Sequence, residues 1–134
     1  MILGVGIDLT PAERIARALA RHAGRFEARV FTDGERRYCA GKARPAEHYA
    51  ARFAAKEAML KALGVPDGLS WHEMEVVPSE RGRPDLVLRG AAEQAARRLG
   101  VTKVWLTLTH AGGLAAAVVV LEGAPTPTPT PTDD

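Results

Sequence analysis

A carboxylate ends the most apolar segment of the chain. Asp8 directly follows the run from Ile2 to Ile7, and burying an unpaired charge among such residues costs free energy. The carboxylate therefore needs a partner, which is either the start of the next helix, where it would help to form the cap, or a metal ion. A magnesium site would need a second acidic group, because Mg²⁺ is usually held by one or two carboxylates together with substrate phosphates.

Glu57 is the best candidate for that second carboxylate. In a segment of good helix formers, Phe53, Glu57 and Lys61 are spaced four residues apart and so share one helix face. An ordinary surface ion pair between Glu57 and Lys61 explains the same spacing. Alternatively, the charges of Arg52, Lys56 and Glu57 among alanines would suit a polyphosphate and its cation. Spacing alone leaves both interpretations open.

Arginines recur along the first predicted helix with almost no acidic residue between them. Their spacing places them in one stripe if the helix extends far enough: Arg14, Arg17, Arg21 and Arg25. Such a stripe is either a solvated basic surface or a docking surface for an acidic macromolecule. Glu13 is the only acid between Pro11 and Arg25, which favours the docking surface.

Thr109 and His110 end a predicted strand beside the flexible turn 111–113, which is Ala-Gly-Gly. A hydroxyl, an imidazole and backbone N–H groups at one end of a sheet could bind an anion such as phosphate, although a turn histidine is also commonly just exposed. Pro84 follows a charged turn between two predicted strands, which alone indicates only a hairpin. No phosphate-binding loop of the GxxxxGK[ST] or GxGxxG type is present.

The elements that would position these residues follow from apolar patterns and helix caps. Two capping boxes, Thr10 to Glu13 and Thr32 to Glu35, each predict the start of a helix. The predicted elements are a strand over 2–9, helices over 10–21, 32–40 and 47–63, strands over 73–78 and 85–88, a helix over 90–99, and strands over 103–109 and 114–121. This order predicts an α+β fold in which a mostly antiparallel sheet packs against one long helix and several shorter ones.

Length and composition fit one ordinary domain, since 46% of the 134 residues are apolar and 25% are charged. Residues 124–134 are mainly alternating Pro and Thr, which predicts a disordered tail behind a domain over 1–123. The single cysteine, Cys39, excludes an internal disulfide and suits a reducing cytoplasm. Neither a signal peptide nor an apolar run of about 18 residues is present, so we expect a cytoplasmic protein without a membrane segment.

Charge and aromatic content bear on the partners of the domain. The net charge of +2 includes two Asp in the tail, so the domain itself favours an anionic partner. A non-catalytic basic module that binds nucleic acid is a remote possibility. Only Phe53 and Trp105 could form a stacking platform, 5% of the residues are aromatic, and no base-reading motif accompanies the arginines. We therefore expect no nucleic-acid partner.

Taken together, four blocks resemble the small bacterial holo-acyl-carrier-protein synthases of the 4′-phosphopantetheinyl transferase superfamily. In family order, the blocks are Gly4 to Leu9 followed by Glu13 to Ile15, Phe31 and Thr32 with Glu35, Arg52 to Gly64, and Leu108 to His110. The stretch FAAKEA within the third block is highly specific to the family. Two departures occur: residues 10–12 are Thr-Pro-Ala where Val-Glu-Ile is usual, and Thr109 replaces a serine. The first should be harmless because the cap chemistry is intact.

The resemblance implies magnesium-dependent transfer of 4′-phosphopantetheine from coenzyme A to a serine of apo acyl carrier protein, with release of 3′,5′-ADP, as in fatty acid biosynthesis. Asp8 and Glu57 would bind the magnesium, and Lys61 would steady charge on the leaving phosphate. Either Glu57 or a water on the metal would take the serine proton. Coenzyme A would contact Arg52, Lys56, Lys61, Gly64, Pro84, Thr109 and His110.

The resemblance also implies an assembly and a protein partner. Family members form trimers with coenzyme A in clefts between subunits, so we expect a homotrimer. The acidic helix of the carrier protein would dock on Arg14, Arg17, Arg21 and Arg25. An alternative with the same chemistry has a carrier domain of a polyketide or peptide synthase as the acceptor.

Overall fold

A computed structural model describes residues 1–127 of the chain. The first half consists of strand β1 (Ile2–Pro11) and helices α1 (Ala12–Arg21), α2 (Arg25–Val30), α3 (Asp33–Ala40) and α4 (Pro45–Ala62). After a 3₁₀ turn (Trp71–Glu73), the second half consists of β2 (Met74–Pro78), β3 (Pro84–Leu88), α5 (Gly90–Leu99), β4 (Val101–Ala111) and β5 (Leu114–Gly123).

The described strands pair antiparallel in two sheets. In the larger sheet β5 lies between β1 and β4, whereas β2 and β3 form a separate hairpin. Helix α4 packs on β1 and β5 of the larger sheet. The predicted α+β class, with an antiparallel sheet against one long helix and shorter helices, is confirmed.

Two glycines of β1 allow the strand backbone to touch the helix backbone. A Cβ atom on Gly4 would collide with the carbonyl oxygen of Ala62, and one on Gly6 would collide with that of Ala58. No side chain separates strand from helix at these two points. Asp8, two residues beyond Gly6, is thereby held beside the second half of α4.

The core lies between α4 and the larger sheet. Alanines and one methionine of α4 and branched residues of β5 are almost completely buried there: Ala54, Ala55, Ala58, Met59, Val119 and Leu121. A second buried cluster joins α1, α2 and α4 through Ile15, Val30, Phe31 and Tyr49. Because α4 contributes to both clusters, its orientation is fixed from two sides and its polar residues have defined positions.

The larger sheet has an inner face against α4 and an exposed outer face. Directly paired residues share a face, so the register defines rows across the sheet. The outer rows are Val5–Val120–Trp105, Ile7–Val118–Thr107 and Leu9–Ala116–Thr109. Val5, Ile7 and Leu9 are 59%, 59% and 62% exposed. This outer face is therefore a largely apolar surface that remains open to solvent within one chain.

One of the two predicted capping boxes does not form. β1 extends through Pro11, so Thr10 is a strand residue paired with Ala115, and no side chain caps α1. The strand pairing between β1 and β5 continues past Asp8, so Thr10 belongs to the strand and does not cap the helix. The box at Thr32 is confirmed, because the Glu35 N–H donates to the Thr32 hydroxyl at 3.2 Å and the Thr32 N–H donates to the Glu35 carboxylate at 2.9 Å.

Helix α1 ends at Arg21, which shortens the predicted arginine stripe. Ala23 and Gly24 adopt positive φ angles of 47° and 87° and reverse the chain direction. Arg25 is the first residue of α2 and does not extend the face of α1. The expectation that four arginines form one continuous stripe is therefore wrong for Arg25.

Residues 124–127 of the predicted tail are described and form neither helix nor strand. The Ala124 N–H donates to the Gly100 carbonyl at 3.1 Å, and the Thr126 hydroxyl donates to the Arg98 carbonyl at 2.9 Å. The rest of the predicted disordered tail, 128–134, lies outside the described residues. Within residues 1–127, every helix is too short or too polar to cross a bilayer.

Candidate functional site

Asp8 and Lys61 meet where β1 passes along α4. The Lys61 ammonium donates to Asp8 Oδ1 at 3.1 Å and to the Ile7 carbonyl at 3.0 Å, while the Thr10 hydroxyl donates to Asp8 Oδ2 at 2.8 Å. The Asp8 side chain is 15% exposed and that of Lys61 is 49% exposed. Asp8 is thus a largely buried carboxylate with both oxygens engaged, beside a lysine that reaches solvent.

Glu57 lies one turn before Lys61 on α4 and adds a second acidic group. Burial raises the pKa of the Glu57 carboxyl, and the negative charge of Asp8 raises it further, while Lys61 and Arg14 oppose the shift. Part of this shift comes from repulsion between the two carboxylates, which a cation bound between them would relieve. Asp8, Glu57 and Lys61 together form the carboxylate cluster.

The carboxylate cluster suits a divalent cation that is completed by a substrate. Residues 1–127 contain no group of three or more His, Cys, Asp or Glu side chains able to hold a metal by themselves. Two carboxylates alone match the way magnesium is bound in phosphoryl-transfer sites, where substrate phosphates and water supply the other ligands. The residues present therefore fit Mg²⁺ bound together with a polyphosphate.

Lys56 lies on a different side of α4, and the expectation that it contacts coenzyme A is wrong. Its ammonium is fully buried and donates to Glu35 Oε1 at 2.6 Å, to the Val30 carbonyl at 2.7 Å and to the Trp71 carbonyl at 3.1 Å. Burial lowers the pKa of Lys56, and the Glu35 carboxylate opposes that shift. With its donors directed at protein acceptors, Lys56 has none left for a phosphate.

Arg52 and His110 both lie near His48 in a second, cationic region at the first half of α4. The Arg52 guanidinium carbon lies 4.0 Å from the centroid of the Tyr38 ring, and the Arg52 Nε atom is buried without a partner. The Lys42 ammonium lies 4.4 Å from the same ring. His110 Nδ1 is 3.9 Å from the Glu47 carboxylate. The surplus of positive charge and the unpartnered Nε favour an anionic ligand here.

The charge of this region also acts on a histidine that the sequence analysis missed. His48 lies with its ring centroid 6.2 Å from that of His110. Partial burial lowers the pKa of His48, as do the charges of Arg52 and Lys42. Lys42 and His48 carried no sequence signal because neither belongs to a recognised block. Tyr38, Lys42, His48, Arg52 and His110 are called the cationic cluster below.

Thr109 and His110 do not act together within one chain. His110 pairs with Ala115 on the inner face of the sheet, whereas Thr109 belongs to the outer row with Ala116 and Leu9. Successive strand residues point to opposite faces, which explains the separation. Pro84 begins β3 and lines a surface cleft with Lys103 and Trp105.

The remaining predicted residues lie along α1 and after α4. Arg14, Arg17 and Arg21 are exposed and line a shallow cleft on α1. Arg14 lies closest to the carboxylate cluster, because its charge acts on Glu57 and its guanidinium is 5.9 Å from the Phe53 ring. Gly64 follows α4 with a φ of 84°, three residues beyond Lys61.

Comparison with known proteins identifies close relatives. The model of the 4′-phosphopantetheinyl transferase superfamily matches residues 4–119 of the chain. The holo-[acyl-carrier-protein] synthase of Anaeromyxobacter dehalogenans strain 2CP-1 is 56% identical over 126 residues, covering 92% of this chain and 98% of the relative. That of Geobacter metallireducens is 49% identical over 124 residues, covering 91% and 98%.

Solved structures share the fold. Holo-[acyl-carrier-protein] synthase from Neisseria meningitidis matches with a TM-score of 0.81 at 28% identity, covering 91% of this chain and 99% of that chain. The complex of Chronobacterium ammoniagenes ACPS with CoA matches with a TM-score of 0.78 at 33% identity, covering 90% and 97%. The similarity spans nearly the full length of the proteins compared.

Proposed function

The chain belongs to the 4′-phosphopantetheinyl transferase superfamily, and we propose that its carboxylate cluster is where it transfers 4′-phosphopantetheine from coenzyme A to a serine of an apo acyl carrier protein. The other product is 3′,5′-ADP. One observation carries the assignment of the site: Lys61 bonds to Asp8, and burial together with the charge of Asp8 raises the pKa of Glu57 one helical turn away. Two repelling carboxylates and an exposed lysine are the groups that a pyrophosphate with its cation requires.

Asp8 and Glu57 would hold the magnesium ion. Their mutual repulsion, and the absence within residues 1–127 of any group of three or more metal-ligating side chains, support an ion shared with the substrate. When bound, the ion neutralises charge on the pyrophosphate and orients it for attack.

Lys61 would stabilise the charge that accumulates on the leaving phosphate. Its side chain is half-exposed and its ammonium has three donors, of which two are used within the chain. One donor is therefore free to bond a phosphate oxygen without breaking the contact to Asp8. Such a charge-assisted hydrogen bond is stronger than an ordinary surface ion pair.

Glu57 is the chain's own candidate to accept the serine proton. It lies beside the proposed phosphoryl site, and in the metal-free protein its pKa is raised, first by burial. The alternative base is a water held at the metal. In either case Glu57 must be ionised when the reaction begins.

The cationic cluster would bind another phosphate of coenzyme A. Arg52 and His110, both predicted to contact coenzyme A, are joined there by Lys42. The buried, unpartnered Nε of Arg52 supports an anion as the missing partner. Gly64, Pro84 and Thr109 remain proposed contacts, Thr109 through a neighbouring subunit.

The exposed outer face of the sheet supports the proposed homotrimer. Contiguous apolar surface of this kind marks protein interfaces, and Val5, Ile7 and Leu9 form its edge. Thr109 lies on this face, so assembly would bring it to a partner subunit. Coenzyme A would occupy the clefts between subunits.

Arg14, Arg17 and Arg21 would receive the acidic helix of the carrier protein. They are exposed along one face of α1, and Arg14 lies between that face and the carboxylate cluster. A carrier docked on α1 would therefore present its serine toward Glu57. With these substrates the enzyme would act in fatty acid biosynthesis in the cytoplasm.

Intact-mass measurement of a carrier protein tests the proposal directly. The protein is incubated with coenzyme A, magnesium and an apo acyl carrier protein, and we expect the carrier to gain one 4′-phosphopantetheine. Chelation of the metal, or the Glu57→Gln variant, should abolish the gain. Carrier domains of polyketide and peptide synthases in parallel reactions identify the preferred acceptor. An unmodified carrier under all conditions would overturn the proposal.

A further inference from the structure

Thr10 bonds to the carboxylate of Asp8 instead of capping a helix. Its hydroxyl donates to Asp8 Oδ2 at 2.8 Å, and its side chain is almost completely buried. The local sequence favours a different role, since Thr10 followed by Pro11 and Glu13 has the pattern of a helix cap. The path of β1 therefore directs the hydroxyl to Asp8 and not to the N-terminus of α1.

The strand geometry fixes the direction of this hydroxyl. Asp8 and Thr10 are two residues apart on β1 and so point to the same face of the sheet. Thr10 pairs with Ala115 of β5, which is itself buried. A β-branched side chain in such surroundings has little freedom at χ1. The donor is thus held rigidly beside the carboxylate.

The two oxygens of Asp8 are held by groups of different character. Oδ1 accepts from Lys61, a long and half-exposed side chain that a phosphate can engage. Oδ2 accepts from Thr10, which is buried and rigid. Because Lys61 is long and half-exposed, Thr10 is the contact that fixes the orientation of the carboxylate.

We propose that Thr10 is a positioning residue for the divalent cation of the carboxylate cluster, which rests on the proposed function above. By bonding to Oδ2, its hydroxyl would keep the Asp8 carboxylate from rotating, while each carboxylate oxygen keeps a lone pair for the cation. Hydrogen-bond partners of this kind orient metal ligands, and their removal typically weakens metal binding by about 10- to 100-fold.

The test compares Thr10→Val, which keeps the shape of the side chain, with Thr10→Ser, which keeps the hydroxyl. Mn²⁺ binding in the presence of coenzyme A is measured from the electron paramagnetic resonance signal of the free ion. We expect Thr10→Val to weaken binding about tenfold and Thr10→Ser to bind as the unaltered protein does. Turnover of Thr10→Val should recover as the magnesium concentration is raised.

A matched control separates metal binding from stability. Thr32→Val removes a hydroxyl that caps α3 and bonds to Glu75, so it should lower the melting temperature without changing Mn²⁺ affinity. Thr10→Ala replaces Thr10→Val if the valine variant does not fold. Unchanged Mn²⁺ affinity in the folded Thr10 variant would overturn the positioning role but leave the transferase proposal standing. Failure of the unaltered protein to bind Mn²⁺ would overturn both the metal site and this inference.

Discussion

Lys56 and Lys61 lie on the same helix and each pairs with a carboxylate, but the surroundings of the two pairs differ. The pair of Lys56 with Glu35 is completely buried and connects α4 with α3. The pair of Lys61 with Asp8 lies at the surface edge of β1 and leaves the lysine half-exposed. A buried pair cannot exchange partners without a large desolvation cost, whereas an exposed pair can take up a ligand. The difference supports a structural role for the first pair and the proposed role in phosphate binding for the second.

Removal of the buried lysine should have the largest effect on stability. Lys56→Met leaves the Glu35 carboxylate charged and unpaired in the core, and we expect the free energy of unfolding to fall by about 3–5 kcal/mol. Urea denaturation measures the change. The double variant Lys56→Met with Glu35→Gln is the control and should recover much of the loss. If Lys56→Met unfolded as the unaltered protein does, the assignment of this pair to the fold would be wrong.

Removal of the exposed lysine should instead affect turnover. Lys61→Met loses a charge-assisted bond to a phosphate, and we expect kcat to fall by about tenfold or more, since such bonds contribute about 1.5–3 kcal/mol. The unfolding free energy should change by less than about 1 kcal/mol, because exposed ion pairs contribute little. Steady-state kinetics and denaturation of the same preparation measure both. Equal turnover with and without Lys61 would show that its contact with Asp8 is an ordinary surface ion pair.

Reversing the charge of exposed arginines tests the proposed docking surface on α1. Arg17→Glu with Arg21→Glu should raise the KM for the carrier protein by about tenfold, because the surface then repels an acidic helix. The KM for coenzyme A should stay constant. Arg14 is left unaltered because its charge also acts on Glu57. Added salt should weaken carrier binding in the unaltered protein more than in the variant. Unchanged carrier kinetics with a loss of binding to DNA would favour the nucleic-acid module instead.

The pH dependence of metal binding gives the smallest expected effect and still separates the two lysines. In the metal-free protein, burial and the charge of Asp8 raise the pKa of the Glu57 carboxyl, and Mg²⁺ binding requires the ionised form. We therefore expect the Mg²⁺ affinity to fall as the pH is lowered through this raised pKa. Lys61 lowers the pKa of Glu57, so Lys61→Met should move the loss of affinity to higher pH, whereas Lys56→Met should leave it in place. Titration calorimetry from pH 4 to 8 would contradict this reasoning if both variants shifted the loss alike.

The carboxylate cluster was predictable from sequence because its parts are local. Asp8 ends an apolar strand, and Glu57 and Lys61 share a helix face at a spacing of four residues. The proximity of Asp8 to these two residues depends on the contacts of Gly4 and Gly6 with α4, which no local pattern specifies. Only the resemblance to a known family indicated that proximity.

The predictions that proved wrong concern features that depend on tertiary packing and not on local sequence. Lys56 adjoins Glu57 in sequence but is turned by about 100° around the helix, and only the position of α3 shows that its ammonium is buried. Thr10 has the composition of a cap, yet pairing of β1 with β5 continues past it. Arg25 was placed on α1 because the positive φ angles of Ala23 and Gly24 are not evident from the sequence. The opposite faces of Thr109 and His110 could have been predicted from strand alternation.

The contact between β1 and α4 determines which mutations the active centre can tolerate. At Gly6 the strand backbone rests on the carbonyl of Ala58, the residue next to Glu57. The separation of Asp8 from Glu57 is therefore set by contact between two main chains and not by the fit of side chains. Substitutions elsewhere in the core can lower stability gradually and still leave the two proposed metal ligands at the same separation. A single methyl group at Gly6 would move them apart, so the smallest side chain at a position without any functional group should damage the site as severely as loss of a carboxylate.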